Sequence, residues 1–553
     1  MRRCVLTRPE QQAIIRTVII HASLSVRLSV ALRAHWRALC LLLLACTTCA
    51  TLGQLPLIDE DEGEYSEVAM EMLRSGDWLA PTLNGQPFYE KPVLLFWLQV
   101  PLVRLAQAVS LPLEWALRMP AWLASLLWIG RMVGFWRRHG APAEAQDAAW
   151  LAATSLGVAV VARAAAMDAL INLALTMILF DVWHWLDAGH RSALRRAALW
   201  AGLGMLAKGP VALVVPGAIV LLGMLLTPAW RARWRDLLDP PAWCILLLIC
   251  LPWYGWYALH SDGAFVAYFL GRENVGRLGG SLQGHGGSPA YYLVVLPLLL
   301  LPYTAALPGA LQRWRGSARG SLPRFLLLWF LVVLVIFSLA GTKLPHYLLY
   351  GCTPLFLLGA PALAGQIQAR WLALPGLLMP LLALALPAVA DRMAAQDRNP
   401  YLREMLARAP QVFDTHWHWR AGLWLTLAVI NLLLVWRPVR TGMLAGLPSA
   451  SLAWLPGLVS VLGVSCVLLP AVTGLQQDPV RAAATFAASL PGPLVSDDRM
   501  PSFSVYLGRA TEVRPVRAGD LAFGRLDHPD RLGRAYETLF AQGGVRVVRV
   551  IAP

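Results

Sequence analysis

The chain has 553 residues, of which 57% are hydrophobic and only 14% are charged. Because soluble proteins carry about 25% charged residues, and because apolar runs long enough to cross a bilayer recur along this chain, the composition excludes an ordinary soluble fold. The formal net charge of +15 does not indicate nucleic-acid binding, because the arginines lie in short clusters between the apolar runs, as in cytoplasmic loops under the positive-inside rule.

The N-terminal part predicts a cytoplasmic extension followed by a membrane domain. Residues 1–36 are basic, which keeps this end inside. We find no convincing cleavage site after the first apolar run, Ala38–Leu57, and expect it to be retained as an anchor. Such runs predict about thirteen spans and an all-α polytopic membrane domain over residues 37–474. Further examples are Pro120–Trp136, Ala242–Leu259, Tyr291–Ala310 and Phe325–Leu339.

One stretch disturbs the alternation of inside and outside loops. Segments 93–110 and 120–136 are both apolar enough to span, yet the arginines after Trp136 require an inside loop at that point. We therefore expect one of the two segments to be re-entrant or interfacial.

The segment 58–92 follows the first span and is predicted to be the first periplasmic loop. It is acidic, whereas the inside loops are basic. Its pattern predicts an amphipathic helix through Ser66–Leu73, capped by Asp59 or Asp61. The acidic side chains expected on the solvated face of this helix are Glu64, Glu67 and Glu71.

Three carboxylates at membrane boundaries are candidate catalytic groups. Asp61 and Glu62 follow the first span directly, and Asp168 lies at the outer end of another. A carboxylate at such a position is costly unless it is paired or useful. Close to a basic pocket, these groups suit a general base or the stabilisation of a positively charged sugar transition state.

Lysine is rare in this sequence, and its three copies occupy similar positions. Lys91, Lys208 and Lys343 lie at predicted span ends, each with a proline one or two residues later. Because proline is favoured in the first turn of a helix, each ammonium group is predicted to lie near a helix N-terminus, where free N–H groups favour an anion. Lysines at helix ends also snorkel to the interface, but three on one face predict a phosphate site.

Two later segments are predicted to lie on the periplasmic side. The loop 260–289 contains a glycine-rich stretch around His285 that would suit a lid over a ligand. Residues 475–553 are rich in charge and predict a small α/β periplasmic domain. Its expected elements are strands near Gly492–Ser496 and Val545–Ile551 and a helix over Arg531–Gln542.

Several short blocks keep a characteristic order and spacing in the first loop: Asp61–Glu67, Ser75–Trp78, Leu83–Gly85 and Phe88–Pro92. Further blocks follow in order: Met167–Asp168, Lys208–Gly209, Glu273–Asn274, His285 and Lys343–Tyr347. Together they resemble the bacterial aminoarabinose transferase and protein O-mannosyltransferase group of GT-C-fold glycosyltransferases. The resemblance runs from about residue 37 to about residue 365.

The resemblance implies a sugar donor carried on polyprenyl phosphate, and transfer on the periplasmic side of the bacterial inner membrane. Asp61 would be the catalytic carboxylate, with Asp168 as its partner. Lys91, Lys208 and Tyr347 would hold the donor phosphate.

The resemblance also implies a metal site and one departure from the family. Glu90 and His285 match positions that bind zinc in aminoarabinose transferases. A carboxylate and an imidazole are reasonable zinc ligands, but two are an incomplete set, so the metal is expected to be optional. Family members carry a basic residue where this chain has Glu64, and an acid there disfavours a phosphorylated acceptor such as lipid A.

The expected reaction is an inverting transfer of aminoarabinose or a hexose to lipid A, another lipid or a protein. With a hydroxyl acceptor Asp61 takes its proton, and with a phosphate acceptor it orients the nucleophile or balances charge. Two other classes stay open. A transporter or flippase for lipid-linked sugars would need charged or broken helices at mid-membrane, and a non-catalytic scaffold would not need the lysines and carboxylates.

Overall fold

The computed structural model describes residues 35–280, 286–363, 369–436, 452–497 and 499–552. The chain divides into two units, Met1–Thr48 and Cys49–Pro553. Most of the predicted extension over residues 1–36, and His285 with the neighbouring part of its glycine-rich stretch, lie outside the described residues.

Six helices of the described residues are long and apolar enough to cross a membrane. They are Asp168–Ala188, Pro240–His260, Leu322–Leu339, Arg370–Gln396, Thr415–Val435 and Leu455–Gln476. Two sharply bent pairs raise the number to eight if each pair is one span: Val211–Leu226 with Pro228–Leu238, and Tyr291–Leu299 with Thr304–Arg315. The described part of the chain thus holds six to eight candidate spans by length and composition, against the total of about thirteen predicted from the apolar runs.

The predicted span Tyr291–Ala310 is one of these broken pairs, bent by 107°. Pro297 lies within its first helix and Pro302 lies between the two helices. Because proline donates no backbone hydrogen bond and its ring clashes with the preceding turn, this run does not continue as one straight helix. Three other predicted runs lie inside single helices: Leu113–His139, Pro240–His260 and Leu322–Leu339.

Shorter or more polar helices complete the helical part. The stretch that disturbs the predicted alternation forms two helices in contact, Leu94–Ala108 and Leu113–His139. Other helices are Asp61–Ser75, Ala145–Thr154, Leu156–Val161, Arg191–Lys208 and Cys352–Gly359, and His35–Ala50 is a shorter apolar helix. A π-helix over Ala267–Gly276 and a 3-10 helix over Pro345–Gly351 supply further site residues.

The strands form a small hairpin and one sheet. The hairpin, β1 (Thr82–Leu83) and β2 (Gln86–Pro87), lies in the first loop. The sheet comprises β3 (Leu494–Val495), β4 (Leu521–Arg525), β5 (Ala535–Gln542) and β6 (Val545–Ala552), in the order β3-β4-β6-β5. Only the β3–β4 pair is parallel, and the helices Asp478–Ala488 and Ser502–Leu507 accompany the sheet.

The predicted helix over Arg531–Gln542 is wrong, because most of this segment is strand β5. Gly543 and Gly544, with φ of 55° and 81°, join β5 to β6. Two consecutive residues with positive φ form the turn that favours a tight antiparallel hairpin, so this turn decides the structure of the segment before it. The two predicted strands are confirmed as β3 and β6.

The first-loop helix begins earlier than predicted, and its acidic face is largely buried. It covers Asp61–Ser75, follows Glu60 as its N-cap residue and has no side-chain cap, so the predicted capping by Asp59 or Asp61 is wrong. Glu67 and Glu71 are buried, not solvated.

Each of these two glutamates has an internal partner. Glu67 forms an ion pair with Arg74. Glu71 accepts hydrogen bonds from the Thr82 hydroxyl at 2.5 Å and from the Gly85 N–H at 3.1 Å. The helix face predicted to meet water therefore holds the hairpin in place.

The C-terminal segment contacts the start of the first loop. Asp59 accepts a hydrogen bond from the Ser502 N–H at 3.0 Å and another from the Ser502 hydroxyl. The Leu57 N–H donates to the Tyr506 hydroxyl at 2.6 Å. Because Asp59 lies two residues before Asp61, these contacts help to fix where Asp61 lies.

Candidate active site

Asp168 lies between two cavities: it lines one, and two of its hydrogen-bond partners line the other. The lysine cavity has a volume of about 410 Å³, and its polar lining includes Lys91, Lys208, Glu273, Arg277 and Tyr347. The aspartate cavity has a volume of about 490 Å³, and its polar lining includes Asp61, Asp168, Arg163 and His346. Both cavities are otherwise mostly apolar.

In the lysine cavity, Glu273 holds two cations side by side. Its Oε2 lies 3.4 Å from Lys91 Nζ and 2.6 Å from Arg277 Nη2. Arg277 Nη1 also donates to the Tyr347 hydroxyl at 2.9 Å. Residues from three separate segments therefore converge on one small basic cluster.

Asp168, the first residue of its helix, organises the wall between the cavities. Its Oδ1 accepts hydrogen bonds from Lys208 Nζ at 2.5 Å and from the Tyr350 hydroxyl at 2.7 Å, and it lies 3.5 Å from His346 Nε2. Lys208 Nζ also lies over the Tyr347 ring, 5.5 Å from its centroid. The Asp168 carboxylate thus contacts side chains that line both cavities.

Lys91 and Lys208 lie just before helices, as predicted, and these helices begin at Leu94 and Val211. Lys343 also precedes a helix, the 3-10 helix Pro345–Gly351, but it does not join the cluster. Its buried Nζ donates to the Ala340 carbonyl oxygen at 2.5 Å, and it does not line the lysine cavity. The prediction that all three lysines meet at one site is therefore wrong, because Lys91 and Lys208 line the cavity and Lys343 does not.

Burial and neighbouring charges shift the pKa values of Lys91 and Glu64. Burial alone lowers the pKa of the Lys91 ammonium, but Glu90, Glu273 and Glu64 outweigh it and raise that pKa. Burial raises the pKa of Glu64 to about 8, and the nearby Glu90 carboxylate adds to the rise. A raised pKa reduces the negative charge that Glu64 carries near neutral pH, which weakens the repulsion of a phosphorylated acceptor expected from an acid at this position.

The two adjacent acids of the first loop differ in how many partners they have. Glu62 Oε1 accepts from Arg118 Nε at 2.9 Å and from the Ala165 N–H at 2.6 Å. Its Oε2 accepts from Arg118 Nη2 at 2.8 Å and from the Ile58 N–H at 2.9 Å. Asp61 is exposed, and among the described residues only the Tyr65 hydroxyl donates to it, at 3.2 Å. The accessible carboxylate is therefore that of Asp61.

Of the two predicted zinc ligands, the structure describes Glu90. Glu90 Oε1 accepts from the Tyr268 hydroxyl at 3.2 Å, and its Oε2 lies 3.7 Å from Lys91 Nζ. No three His, Cys, Asp or Glu side chains of the described residues are grouped to hold a metal ion. A carboxylate beside an ammonium group fits a metal ion poorly, and His285 lies outside the described residues.

Sequence reasoning missed Arg277, Tyr350 and His346. Glu273 and Arg277 are spaced as an i,i+4 pair, and His346 stands beside Tyr347 in a block that the resemblance already marks. Arginine is common in this chain, so the residue type of Arg277 alone carried no signal.

Comparison with known proteins points to one group. A family model described as dolichyl-phosphate-mannose-protein mannosyltransferase matches residues 90–256. The undecaprenyl phosphate-alpha-4-amino-4-deoxy-L-arabinose arabinosyl transferase of Pseudomonas aeruginosa is 33% identical over 355 residues, which is 62% of this chain and 62% of that protein. The match thus spans less than two thirds of that relative. An arabinosyl transferase 2 of the same description from Pseudomonas fluorescens is 30% identical over 402 residues, 70% of this chain and 69% of the relative.

The fold matches a solved structure over nearly its whole length. ArnT from Cupriavidus metallidurans bound to undecaprenyl phosphate aligns with a TM-score of 0.71 at 20% identity, covering 93% of this chain and 98% of that one. Its apo structure aligns with a TM-score of 0.72. Together with the apolar helices, this likeness identifies a multi-pass membrane protein.

Proposed function

We propose that this chain, which belongs to the GT-C-fold family of aminoarabinose transferases, transfers a sugar from a polyprenyl-phosphate carrier to a periplasmic acceptor. One observation carries the proposal: Lys91, Lys208, Arg277 and Tyr347 line one cavity whose other walls are apolar. Cations and a hydroxyl suit a phosphate, and apolar walls suit a prenyl chain.

The donor is undecaprenyl phosphate carrying aminoarabinose or a hexose. The relatives' names specify aminoarabinose. The apolar walls of the lysine cavity include Val211, Val214, Phe269 and Phe337, which give the prenyl chain a hydrocarbon surface beside the cations. Because the prenyl chain comes from the hydrocarbon of the bilayer, these walls accept it by van der Waals packing, while the cations orient its phosphate.

The reaction is an inverting displacement at the anomeric carbon. The bond between this carbon and the donor phosphate oxygen breaks, and its electron pair leaves on polyprenyl phosphate, whose charge Lys91, Lys208 and Arg277 stabilise. A bond forms between the anomeric carbon and the acceptor oxygen. If that oxygen is a hydroxyl, its proton passes to Asp61, the exposed carboxylate of the neighbouring cavity.

Asp168 and Glu62 act through other groups. Asp168 holds the Lys208 ammonium at 2.5 Å and so sets where that charge meets the phosphate. Glu62, whose oxygens are fully engaged by Arg118 and backbone N–H groups, fixes the turn that carries Asp61. Both are positioning residues in this mechanism.

The enzyme lies in the bacterial inner membrane with both cavities facing the periplasm. Residues 37–474 form the membrane domain with about thirteen crossings, including the shorter apolar helices His35–Ala50 and Leu94–Ala108. Residues 1–36 are cytoplasmic, and residues 475–553 pack on the first loop from the periplasmic side. The contacts of Ser502 and Tyr506 with that loop support this arrangement.

The test is release of polyprenyl phosphate from a radiolabelled undecaprenyl-phosphate aminoarabinose donor, with an outer-membrane lipid extract as acceptor. Purified wild type is compared with Asp61→Asn and with Asp262→Asn, a matched control at an exposed position where φ is 48° and asparagine fits as well as aspartate. With a hydroxyl acceptor we expect Asp61→Asn to lower turnover about 100- to 10,000-fold and the control to retain it.

Other outcomes separate the alternatives. Turnover with a hexose donor alone keeps the reaction and changes the sugar. Donor movement across vesicles without any cleavage, in wild type and Asp61→Asn alike, would show a flippase instead.

A further inference from the structure

A further cavity, which we call the loop cleft, lies between the first loop and the C-terminal segment. Its volume is about 560 Å³, larger than that of the lysine cavity or the aspartate cavity. One wall is the end of the helix Asp61–Ser75 with the turn of the β1–β2 hairpin, and the other is the segment 510–514. The helix residues in this wall follow Asp61 by ten to fourteen positions, which is about 15–21 Å along the helix axis. The loop cleft is therefore separate from the catalytic site.

Hydrogen bonds within the protein hold both walls of the loop cleft in place. Glu71 accepts from a hydroxyl and an N–H of the hairpin, which fixes the hairpin on the helix. The Thr511 hydroxyl donates to Asn84 Oδ1 at 3.1 Å and so joins the two walls. The Glu512 N–H donates to the Leu494 carbonyl oxygen at 3.0 Å, which ties the second wall to strand β3. A cleft with walls fixed in this way is a preformed site, as ligand sites usually are.

The charges of the loop cleft are balanced. Its charged lining among the described residues comprises two acids and two cations: Glu71, Arg74, Glu512 and Arg514. Arg74 forms an ion pair with Glu67. Arg514 donates to Glu512 Oε2 at 2.6 Å and to both oxygens of Asp520. Because an ion that leaves water needs a counter-charge, and the cations here already have theirs, the cleft favours a neutral ligand.

The polar groups left over in the loop cleft suit sugar hydroxyls. Asn84 Nδ2 donates to no described residue, Gln86 is exposed, and Glu512 Oε1 accepts from no described group. Amides and carboxylates offer paired donors or acceptors, and a hydroxyl both donates and accepts, so they match neighbouring hydroxyls of a sugar ring. The apolar side chains lining the cleft within the described ranges are the small ones of Ala510 and Val513. They form no pocket for the large side chains that anchor a peptide.

We propose that the loop cleft binds a neutral oligosaccharide through Asn84, Gln86 and Glu512. The inference does not rest on the proposed function, because the cleft lies outside both catalytic cavities and binding there breaks no bond. It gives a use to the block Leu83–Gly85, which the sequence analysis marks and the transfer reaction leaves aside. The sugar chain is either a free glycan of the cell envelope or the glycan of a lipid, and the recognition chemistry is the same for both.

The experiment measures binding of the labelled full-length protein, in detergent, to an array of oligosaccharides. The array carries neutral chains, chains of the same length that contain uronic acids, the neutral chains linked to a lipid anchor, and extended peptides. Gln86→Ala removes an exposed amide, and Val513→Trp fills the cleft. Gln411→Ala changes an exposed glutamine outside the cleft and is the matched control. The thermal unfolding midpoint of each variant reports whether it is folded.

We expect the wild type to bind neutral chains, and to bind chains with uronic acids more weakly because their carboxylates meet Glu71 and Glu512 without an unpaired cation. Gln86→Ala should weaken binding about twofold to tenfold, as for the loss of one neutral hydrogen bond. Val513→Trp should abolish binding, and Gln411→Ala should leave it unchanged.

The arms of the array separate the sources of the sugar. Binding to free and lipid-linked chains alike supports the inference and makes the glycan alone the ligand. Binding only to lipid-linked chains also supports it and makes the ligand a glycolipid. If the wild type binds no neutral chain in either form, or binds only peptides, the inference is wrong, and this result does not depend on the folding of any variant. Equal binding by the wild type and both cleft variants overturns it as well.

Discussion

The lysine cavity and the aspartate cavity lie on either side of Asp168 but differ in how their cations are neutralised. In the lysine cavity, Lys91, Arg277 and Lys208 each lie within 3.4 Å of a carboxylate oxygen. In the aspartate cavity, Arg163 has only a carbonyl partner among the described residues. A balanced cluster is ordered before its ligand arrives, whereas an unbalanced cation receives its counter-ion from the ligand.

This difference suits two ligands with different needs. The donor phosphate must be held in the ground state and stabilised as it leaves, so fixed cations with satisfied geometry favour the transition state. The acceptor must only be recognised and oriented, and a single free charge distinguishes an anionic head group from a neutral one.

The largest expected effect comes from breaking the wall between the cavities. Asp168→Asn leaves the Lys208 ammonium, which is 14% exposed, without its anion. Because removal of one partner from a buried ion pair costs about 3–5 kcal/mol, we expect a clear fall in the thermal unfolding midpoint in detergent. We also expect transfer to be nearly lost.

Tyr350→Phe is the matched comparison, because it removes one hydrogen bond to the same Asp168 oxygen and keeps the ion pair. We expect a cost of about 1 kcal/mol, with transfer retained. Equal effects of the two substitutions on the unfolding midpoint would contradict the role of Asp168 as the anion of Lys208.

A smaller expected effect is a pH dependence that comes from Asp59, a residue of the aspartate cavity. Burial raises the pKa of Asp59, which lines the aspartate cavity, to about 7, despite hydrogen bonds from Ser502 that lower it. Since the folded-state pKa lies above the ordinary 3.8, the stability linked to this group is full below pH 3.8 and is lost as pH rises through about 7. The same ionisation adds a negative charge to the aspartate cavity.

We therefore expect the KM for an anionic acceptor to rise about threefold between pH 6 and pH 8, as for one added charge in a partly polar medium. In Asp59→Asn this rise should be smaller than in the wild type, because the ionisation of Asp59 no longer adds a charge to the cavity. The donor KM should change equally with pH in both proteins. A pH dependence of the acceptor KM that is unchanged by Asp59→Asn would refute the assignment.

Much of the lysine side of the site follows from the sequence. Lys91 and Lys208 stand out because lysine is so rare in a chain rich in arginine, and a proline after each one marks the start of a helix. Lys343 shares both features, yet its ammonium turns to a backbone carbonyl. A local pattern predicts where a helix begins but not which way the side chain points.

The aspartate side of the site was harder to predict from the sequence, because arginine, unlike lysine, is common in this chain. Arg163 cannot be distinguished by type from the many other arginines in the chain, because its lack of a carboxylate partner among the described residues is a property of the fold alone. Glu67 and Glu71 were predicted to meet water because acidic residues usually do, but the hairpin and Arg74 supply their partners.

The most direct test of two separate cavities is a crossed kinetic measurement on Arg277→Gln and Arg163→Gln, with both the donor KM and the acceptor KM determined for each. Arg277→Gln removes a cation bound to Glu273 and Tyr347 in the lysine cavity, so it should raise the donor KM about tenfold or more and leave the acceptor KM near that of the wild type. Arg163→Gln should do the reverse. If each substitution raises both constants to the same extent, the two cavities do not divide donor from acceptor, and the account is wrong.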